Sequence, residues 1–430
     1  MMKLLHIPRQ NGKYSDLSEI KILQEKLLNE HIAYCRKNSP YYASLNLPKK
    51  KISLEQLCDI PATDKKTFAE RNPDFIAVPQ THISDISLTS GTTGSPCLMA
   101  YTQHDLERLT LNDAIGFADA GVSAQDTVLL TCTMDRCFIA GLAYYSACRK
   151  LGAAAIRNGL NSIHSHAQLI RDFRPTTIVG VPSFLAKLGE FMSHENMQRD
   201  SVRRLICIGE PLRTASGELT AVAQRLDDIW PDSLYSTYAS SEIFTSFTEC
   251  RAQCGGHAPY ELAILEILDD DGNVLPPGET GEVTVTPLQV EGTPLLRFRT
   301  GDISFIHPEP CPCGNPVPRL GPILGRKAQM LKIQGTTLFP QTIYNVLDAI
   351  PEIKEYYITV TGTGLSDHVC VTFADNGVLN TEEFTAWLHA KTRLKLPVVR
   401  DTLENVRAKV FGGGRKATRF FDNRIQDGIK

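Results

Sequence analysis

The chain has 430 residues, 42% apolar and 22% charged, with 45 basic against 48 acidic side chains and a formal charge of -3. That length predicts two or three domains with room for a sizeable core, and the composition excludes disorder as a class. The near-balance of charge argues against a dedicated nucleic-acid binder, which would carry a basic excess on one face or helix.

Only Leu4, Leu5 and Ile7 are apolar before Pro8, too few for a signal-peptide core. No window approaches the roughly 18 apolar residues of a membrane helix, so a cytoplasmic protein with no membrane segment is expected. The 12 cysteines then fit a reducing compartment, with Cys132, Cys148 and Cys207 as small core side chains. Residues 16–37 place Leu17, Ile20, Leu23, Leu27 and Leu28 at helical spacing. Apolar runs at 127–132, 153–157, 176–181 and 204–209 read as strands, and helix-length stretches at 141–151, 163–173, 183–192 and 214–227 separate or follow them. This alternation predicts βαβ units with a largely parallel sheet. From about residue 260 the turn signals DDDGN and PPGETG lie between alternating strands, which predicts an antiparallel region. After Gly325-Arg326 come the strand MLKI, a helix from Pro340, the strands YYITVTG and DHVCVTF, and a helix at 381–393. The expected fold class is α/β: a large N-terminal α/β domain with an antiparallel β subdomain, residues 1–325, and a small C-terminal α+β domain, residues 326–430.

Ser90-Gly91-Thr92-Thr93-Gly94 packs glycines and hydroxyls into five positions after a β-prone run. Glycines let successive backbone N–H groups face one anion, and hydroxyls add donors to phosphate oxygens. The Gly-Lys-Ser/Thr ending of a Walker loop is absent, and an ordinary Ser/Thr/Gly turn is the alternative. Downstream, in order, stand Gly209-Glu210-Pro211, Tyr238-Ala239-Ser240-Ser241-Glu242, a segment RFRTGD ending in Asp302, Gly325-Arg326, and Lys416-Ala417-Thr418-Arg419. Over nearly the whole chain this series resembles the adenylate-forming superfamily of acyl-CoA synthetases, most closely the phenylacetate-CoA ligase family.

The resemblance implies the adenylate-forming enzyme fold, with a mobile C-terminal domain, and a role for each motif. Ser90 to Gly94, with Thr92 and Thr93 foremost, would hold the ATP phosphates. Glu242 would help bind Mg2+, the hard cation that prefers carboxylate oxygen, and Asp302 would hold the ribose hydroxyls. Gly209, Glu210 and Pro211 resemble the adenine-side segment, one residue shorter than in the family. Tyr238, followed by Ala239, Ser240 and Ser241, would stack on adenine, although a Tyr at a strand end packs equally well in a core. Arg326 resembles a ribose-side arginine, and Lys416 the lysine that serves acyl-AMP formation. Phe138, Tyr145, Phe184 and Ala239 are the acyl-pocket candidates by family analogy, which suits an aromatic or medium apolar acid.

Two departures stand out. Cys97 occupies the place where the wider superfamily has a lysine, as in phenylacetate-type ligases, and Lys327-Ala328-Gln329 stands where the family usually has a hinge Asp after Gly-Arg-x. Cys250, His257, Cys311 and Cys313 supply three thiolates and an imidazole, enough for a tetrahedral Zn2+, and Gly314 permits the tight turn between them. Spacing alone leaves metal and free cysteines open, with Cys254 a competing ligand. The resemblance favours a closed, structural zinc. His31, His104, His164, His166 and His389 read as surface or capping residues.

The expected function is therefore ATP-dependent activation of a carboxylic acid to acyl-AMP, then transfer to a thiol, with ATP, Mg2+, structural Zn2+ and coenzyme A as the implied cofactors and co-substrate. A carrier-protein phosphopantetheine presents the same thiol, and the family suggests a homodimer. The rival is a zinc-stabilised nucleotide-binding protein without ligase activity.

Overall fold

The computed structural model describes residues 4–5, 17–89, 96–333, 336–362, 367–375, 377–392, 394–412 and 417–424. They divide into two compact units, Met1–Leu219 with Ala223–Ile323, and Thr220–Val222 with Leu324–Lys430.

In the first unit, α1 (Leu17–Asn38) buries Ile20, Leu27, Leu28, Ile32 and Cys35 along one stripe. Ser39 ends it and caps α2 (Pro40–Ala43), its side chain accepting from the Tyr42 N–H. After α3 (Lys65–Glu70) comes an antiparallel hairpin of β1 (Asp85–Leu88) and β2 (Leu98–Tyr101). A capping box of Thr102 and Asp105 then starts α4 (Gln103–Asp119).

Next follow β3 (Thr127–Leu130), α5 (Ile139–Leu151), β4 (Ala154–Arg157), α6 (Ile163–Phe173), β5 (Thr177–Gly180), α7 (Pro182–His194), β6 (Arg204–Ile208), α8 (Ala221–Ile229), β7 (Leu234–Ser240), β8 (Thr245–Glu249) and β9 (Gly256–His257). The strands β4, β3, β5, β6 and β7 lie side by side and parallel, as the βαβ pattern requires. The runs of β3, β5 and β6 are apolar on both faces, so Val128 to Leu130, Ile178, Val179 and Leu205 to Cys207 are all fully buried. Beyond β7 the sheet turns antiparallel through β8 and β9 to β13 (Arg319–Leu320). A second sheet places β10 (Ala263–Leu268), β11 (Gly281–Pro287) and β12 (Phe298–Ser304) antiparallel.

In the second unit, β14 (Gly325–Arg326), the hairpin β15 (Leu331–Ile333) and β16 (Thr336–Leu338), and α9 (Pro340–Asp348) lead to β17 (Glu355–Gly362) and β18 (Asp367–Ala374). Then come α10 (Thr381–Thr392), β19 (Val398–Arg400), α11 (Leu403–Phe411) and β20 (Phe420–Asp422), in a sheet ordered β19-β18-β17-β20. Ile343, Leu347, Ile358, Val371, Phe373 and Phe384 form its core.

Two sequence expectations need correction. The helix expected over 214–227 begins only at Ala221, because Arg213 and Leu219 form an antiparallel bridge around Gly217, whose φ of +85° suits glycine. His31, His104 and His166 are not surface residues: they are 1%, 5% and 0% exposed. Each ring is bonded to a backbone carbonyl, of Leu295, Gln289 and Ser162 respectively. His164 and His389 are exposed, as expected. Among the described residues no helix is long and apolar enough to cross a membrane.

Candidate active site

In an open parallel sheet, ligands bind beyond the carboxyl ends of the strands, where loops and helix N-termini converge. Here β5 and β6 end beside β7, whose parallel pairing stops at Thr237, with Gly180 paired to Cys207 and Ile208 to Thr237. The next residues are Val181, Gly209 and Tyr238, so two of the predicted segments meet at this rim. Gly209 has a φ of +78°, and a side chain there would be strained.

Glu210, next to Gly209, is bonded to the start of α7. Its two carboxylate oxygens accept from the Ser183 N–H at 2.9 Å and the Ser183 hydroxyl at 2.7 Å, at the first turn of α7. The residue preceding that helix is Val181, which makes no side-chain cap. Glu210 thus supplies from another loop the acceptor and negative charge that a helix N-terminus favours.

Tyr238 packs parallel to Phe247 across β7 and β8, ring centroids 6.2 Å apart at 10°. Its hydroxyl donates to Asp302 Oδ2 at 2.8 Å. Burial, with the charge of Asp302 beside it, holds this phenol well above its ordinary range, so it remains a donor. The bond joins motifs 64 residues apart and from different sheets.

Ala239 and Ser240 continue β7, and Ser241 and Glu242 lie in the turn to β8. Arg108 of α4, fully buried, donates to the Phe244 carbonyl at the end of that turn and to the carbonyls of Leu262 and Leu288. Burial pushes the thiol of Cys97 up, and the charge of Glu242 adds to the rise. Burial likewise raises Tyr101, again with Glu242 contributing. The charge of Glu242 is thus felt at Cys97 and Tyr101, residues that follow the hydroxyl-rich loop. The loop's stems are joined: the Thr89 N–H donates to the Cys97 carbonyl at 3.0 Å, and the Cys97 N–H to Thr89 Oγ1 at 3.0 Å. Ser90, Gly91, Thr92, Thr93, Gly94 and Lys416 lie outside the described residues.

The acyl-pocket candidates have separate surroundings. Phe138 is 39% exposed at the start of α5, and Tyr145, two turns further on, lies 5.0 Å under the Arg157 guanidinium. Phe184 meets His166 edge-on at 5.1 Å, and Ala239 is exposed. Arg326 is exposed on β14 in the second unit.

The second constellation does assemble. One ligand atom each from Cys250, His257, Cys311 and Cys313 lie within 4.8 Å of one another. Cys250 Sγ is 3.7 Å from Cys311 Sγ, and Cys313 Sγ is 3.6 Å from His257 Nε2. With Zn–S of about 2.3 Å and Zn–N of about 2.0 Å, a regular tetrahedron has S···S edges of about 3.8 Å and S···N edges of about 3.5 Å. The donor set and its spacing therefore fit zinc. Gly314, at φ +78°, donates its N–H to the Cys311 carbonyl and closes the turn between two of the ligands. The N–H groups of Ala252 and Asn315 point at the sulfurs of Cys250 and Cys313. Cys254 lies outside the quartet: its Sγ is 4.0 Å from Cys311 Sγ and takes a bond from Arg319 at 2.9 Å. Arg319 also donates to the carbonyls of Cys254 and Glu309, which ties the two ligand-bearing loops together.

Arg108, Ser183 and Arg319 were not visible as site residues in the sequence, where each reads equally as a solvated polar residue.

Comparison with known proteins identifies the family. Residues 30–290 match the AMP-binding enzyme family. The chain belongs to that family, the adenylate-forming enzymes, and within it to the phenylacetate-CoA ligase-like group. It is 31% identical to the phenylacetate-coenzyme A ligase of Thermus thermophilus over 81% of this chain and 80% of that protein. The phenylacetate-coenzyme A ligase of Escherichia coli is 28% identical over 80% of this chain and 79% of its own. The fold is shared with a 2-hydroxyisobutyryl-CoA ligase solved in its postadenylation state, at a TM-score of 0.83 and 18% identity, covering 96% of this chain and 91% of that one.

Proposed function

We propose that the chain is an AMP-forming acid–thiol ligase. A carboxylic acid attacks the α-phosphorus of ATP to give acyl-AMP and pyrophosphate, and the thiol of coenzyme A then displaces AMP. The observation that carries the reading is the 2.8 Å bond from Tyr238 to Asp302, which unites the adenine-side and ribose-side motifs at one sheet rim. Both half-reactions proceed without a protein nucleophile, so positioning and charge neutralisation supply the catalysis.

In this reading Asp302 accepts from the ribose hydroxyls, Tyr238 offers the ring face not taken by Phe247, and the hydroxyls of residues 90–94 hold the phosphates. Glu242 would hold Mg2+, which would supply charge neutralisation at the phosphates when bound. Lys416 of the proposed C-terminal domain, residues 326–430, serves the first half-reaction, and Arg326 the ribose side. Phe138, Tyr145, Phe184 and Ala239 suit an aromatic or medium apolar acid. Cys250, His257, Cys311 and Cys313 would hold Zn2+ with no position left for water or substrate, so that ion braces the region next to β7 and β8 and takes no part in the chemistry. A cytoplasmic homodimer is the expected form, and coenzyme A the acceptor ahead of a carrier protein.

The test is exchange of labelled pyrophosphate into ATP across a panel of carboxylic acids. Exchange that requires both an acid and magnesium supports the reading. Correctly folded protein that gives none with any acid would sink it in favour of a nucleotide-binding protein without ligase activity.

A further inference from the structure

The segment that bears Asp302 departs from regular sheet. Glu282 pairs with Ile303 and Thr284 with Arg299, so Val283 of β11 faces three residues of β12, Thr300, Gly301 and Asp302. Such a bulge pushes a strand out of its sheet and re-aims a side chain, and it persists only where its backbone groups find partners. Three of these groups have their partners here. The Thr300 hydroxyl donates to the Val283 carbonyl at 2.8 Å, and the Asp302 N–H donates to Thr300 Oγ1 at 3.2 Å. At the apex, Gly301 takes a φ of +72° and its N–H donates to Glu282 Oε1 at 3.1 Å. The other Glu282 oxygen, Oε2, accepts from Arg299 Nε at 2.9 Å and from its terminal nitrogen at 2.6 Å.

Glu282 is 6% exposed. Its two oxygens divide two tasks: one neutralises Arg299, the other pins the apex of the bulge one residue before Asp302. We infer that Glu282 is a positioning residue for nucleotide recognition, fixing the bulge so that Asp302 presents its carboxylate to the ribose hydroxyls while holding the Tyr238 hydroxyl. The inference rests on the reading of Asp302 as the ribose-binding group. A carboxylate left to wander gains back rotamer freedom that ribose binding would then have to remove, so loosening the bulge costs affinity for the hydroxyls and not for the rest of ATP.

The experiment measures equilibrium binding of ATP and of 2′,3′-dideoxy-ATP to the full-length protein by calorimetry in magnesium. Wild type should prefer ATP by on the order of tenfold or more, the size of a hydrogen bond to a charged group. Asp302→Asn tests the underlying reading: a ratio unchanged from wild type, or no preference in wild type, overturns ribose recognition and this inference with it. Where Asp302→Asn does collapse the ratio, two variants of Glu282 decide. Glu282→Gln keeps the length and an oxygen for the Gly301 N–H but loses the charge facing Arg299. Glu282→Asp keeps the charge but withdraws the acceptor by one methylene. A positioning role predicts that the Gln variant retains most of the preference and the Asp variant loses most of it. The reverse order, or a wild-type ratio in both, means that Glu282 merely balances Arg299 and overturns the inference. Arg299→Lys, which leaves the Gly301 bond in place, should keep the wild-type ratio.

Discussion

Glu210 lies in a segment that resembles a nucleotide-binding motif, yet its carboxylate is bonded to Ser183 at the start of α7. Replacing it by alanine removes an acceptor that serves as the helix's cap, worth about 1 kcal/mol and up to about 2. It also removes a negative charge at the positive end of the helix, worth about 0.3 to 1 kcal/mol. The residue is half-buried, so solvent screens part of the charge effect. The sum is a loss of about 1.5 to 2.5 kcal/mol. For a large domain, each kcal/mol lowers the melting temperature by about 2 to 4 °C, so Glu210→Ala should melt about 3 to 10 °C below wild type. Glu210→Gln, which keeps one acceptor for the Ser183 N–H, should lose about half as much. Differential scanning calorimetry measures both, and calorimetric ATP binding on the same samples should change by less than about twofold. An unchanged melting temperature together with much weaker ATP binding would refute the capping role and return Glu210 to the nucleotide.

Metal analysis of protein purified without added metal should find about one zinc per chain, and Cys313→Ser should lower thermal stability before it changes any kinetic constant; equal stability with and without metal would exclude a structural ion. Lys416→Ala should slow acyl-AMP formation by about a hundredfold, the loss of one preorganised charge, and leave thiol transfer from supplied acyl-AMP nearly intact. Equal losses in both steps would mark a folding defect instead. Asp113, fully enclosed between α4 and β8 and bonded to the Ser246 hydroxyl at 2.5 Å, is pushed up to about 7 by burial. Because the native carboxyl holds its proton over a range where the unfolded one has lost it, stability should fall as pH rises from about 4 to 7. Asp113→Asn should flatten that slope in urea unfolding followed across the range, and an unchanged slope would place the titration elsewhere.

The parallel half of the fold was legible because its central strands β3, β5 and β6 are short and buried on both faces, and because helices of ordinary length separate the strands. The antiparallel turns at Asp269–Asn273 and Pro276–Glu279 were legible through their own chemistry, the Asp269 carboxylate accepting from Asn273 and the Pro276 carbonyl from Glu279. The histidines show where composition misleads: a lone His carries no sign of whether a carbonyl across the fold awaits it, and Leu295 lies 264 residues from His31. The Cys250–His257–Cys311–Cys313 quartet and the Tyr238–Asp302 bond are likewise long-range, and spacing along the chain could not decide that their members meet.

Glu282 marks the limit most sharply. Polar residues in a strand are read as its wet face, on the premise that an antiparallel strand has one dry side and one wet one. In β11 that premise fails, because every residue from Glu282 to Pro287 is buried. A charge inside such a strand is costly unless a counter-charge and further donors meet it. Arg299 supplies the first and the Gly301 N–H the second. A buried carboxylate bonded at both oxygens, one of them against the bulge that bears Asp302, is thus tolerated in the fold through the same bonds that aim its neighbour at the proposed nucleotide, and alternation along β11 had no means of disclosing either.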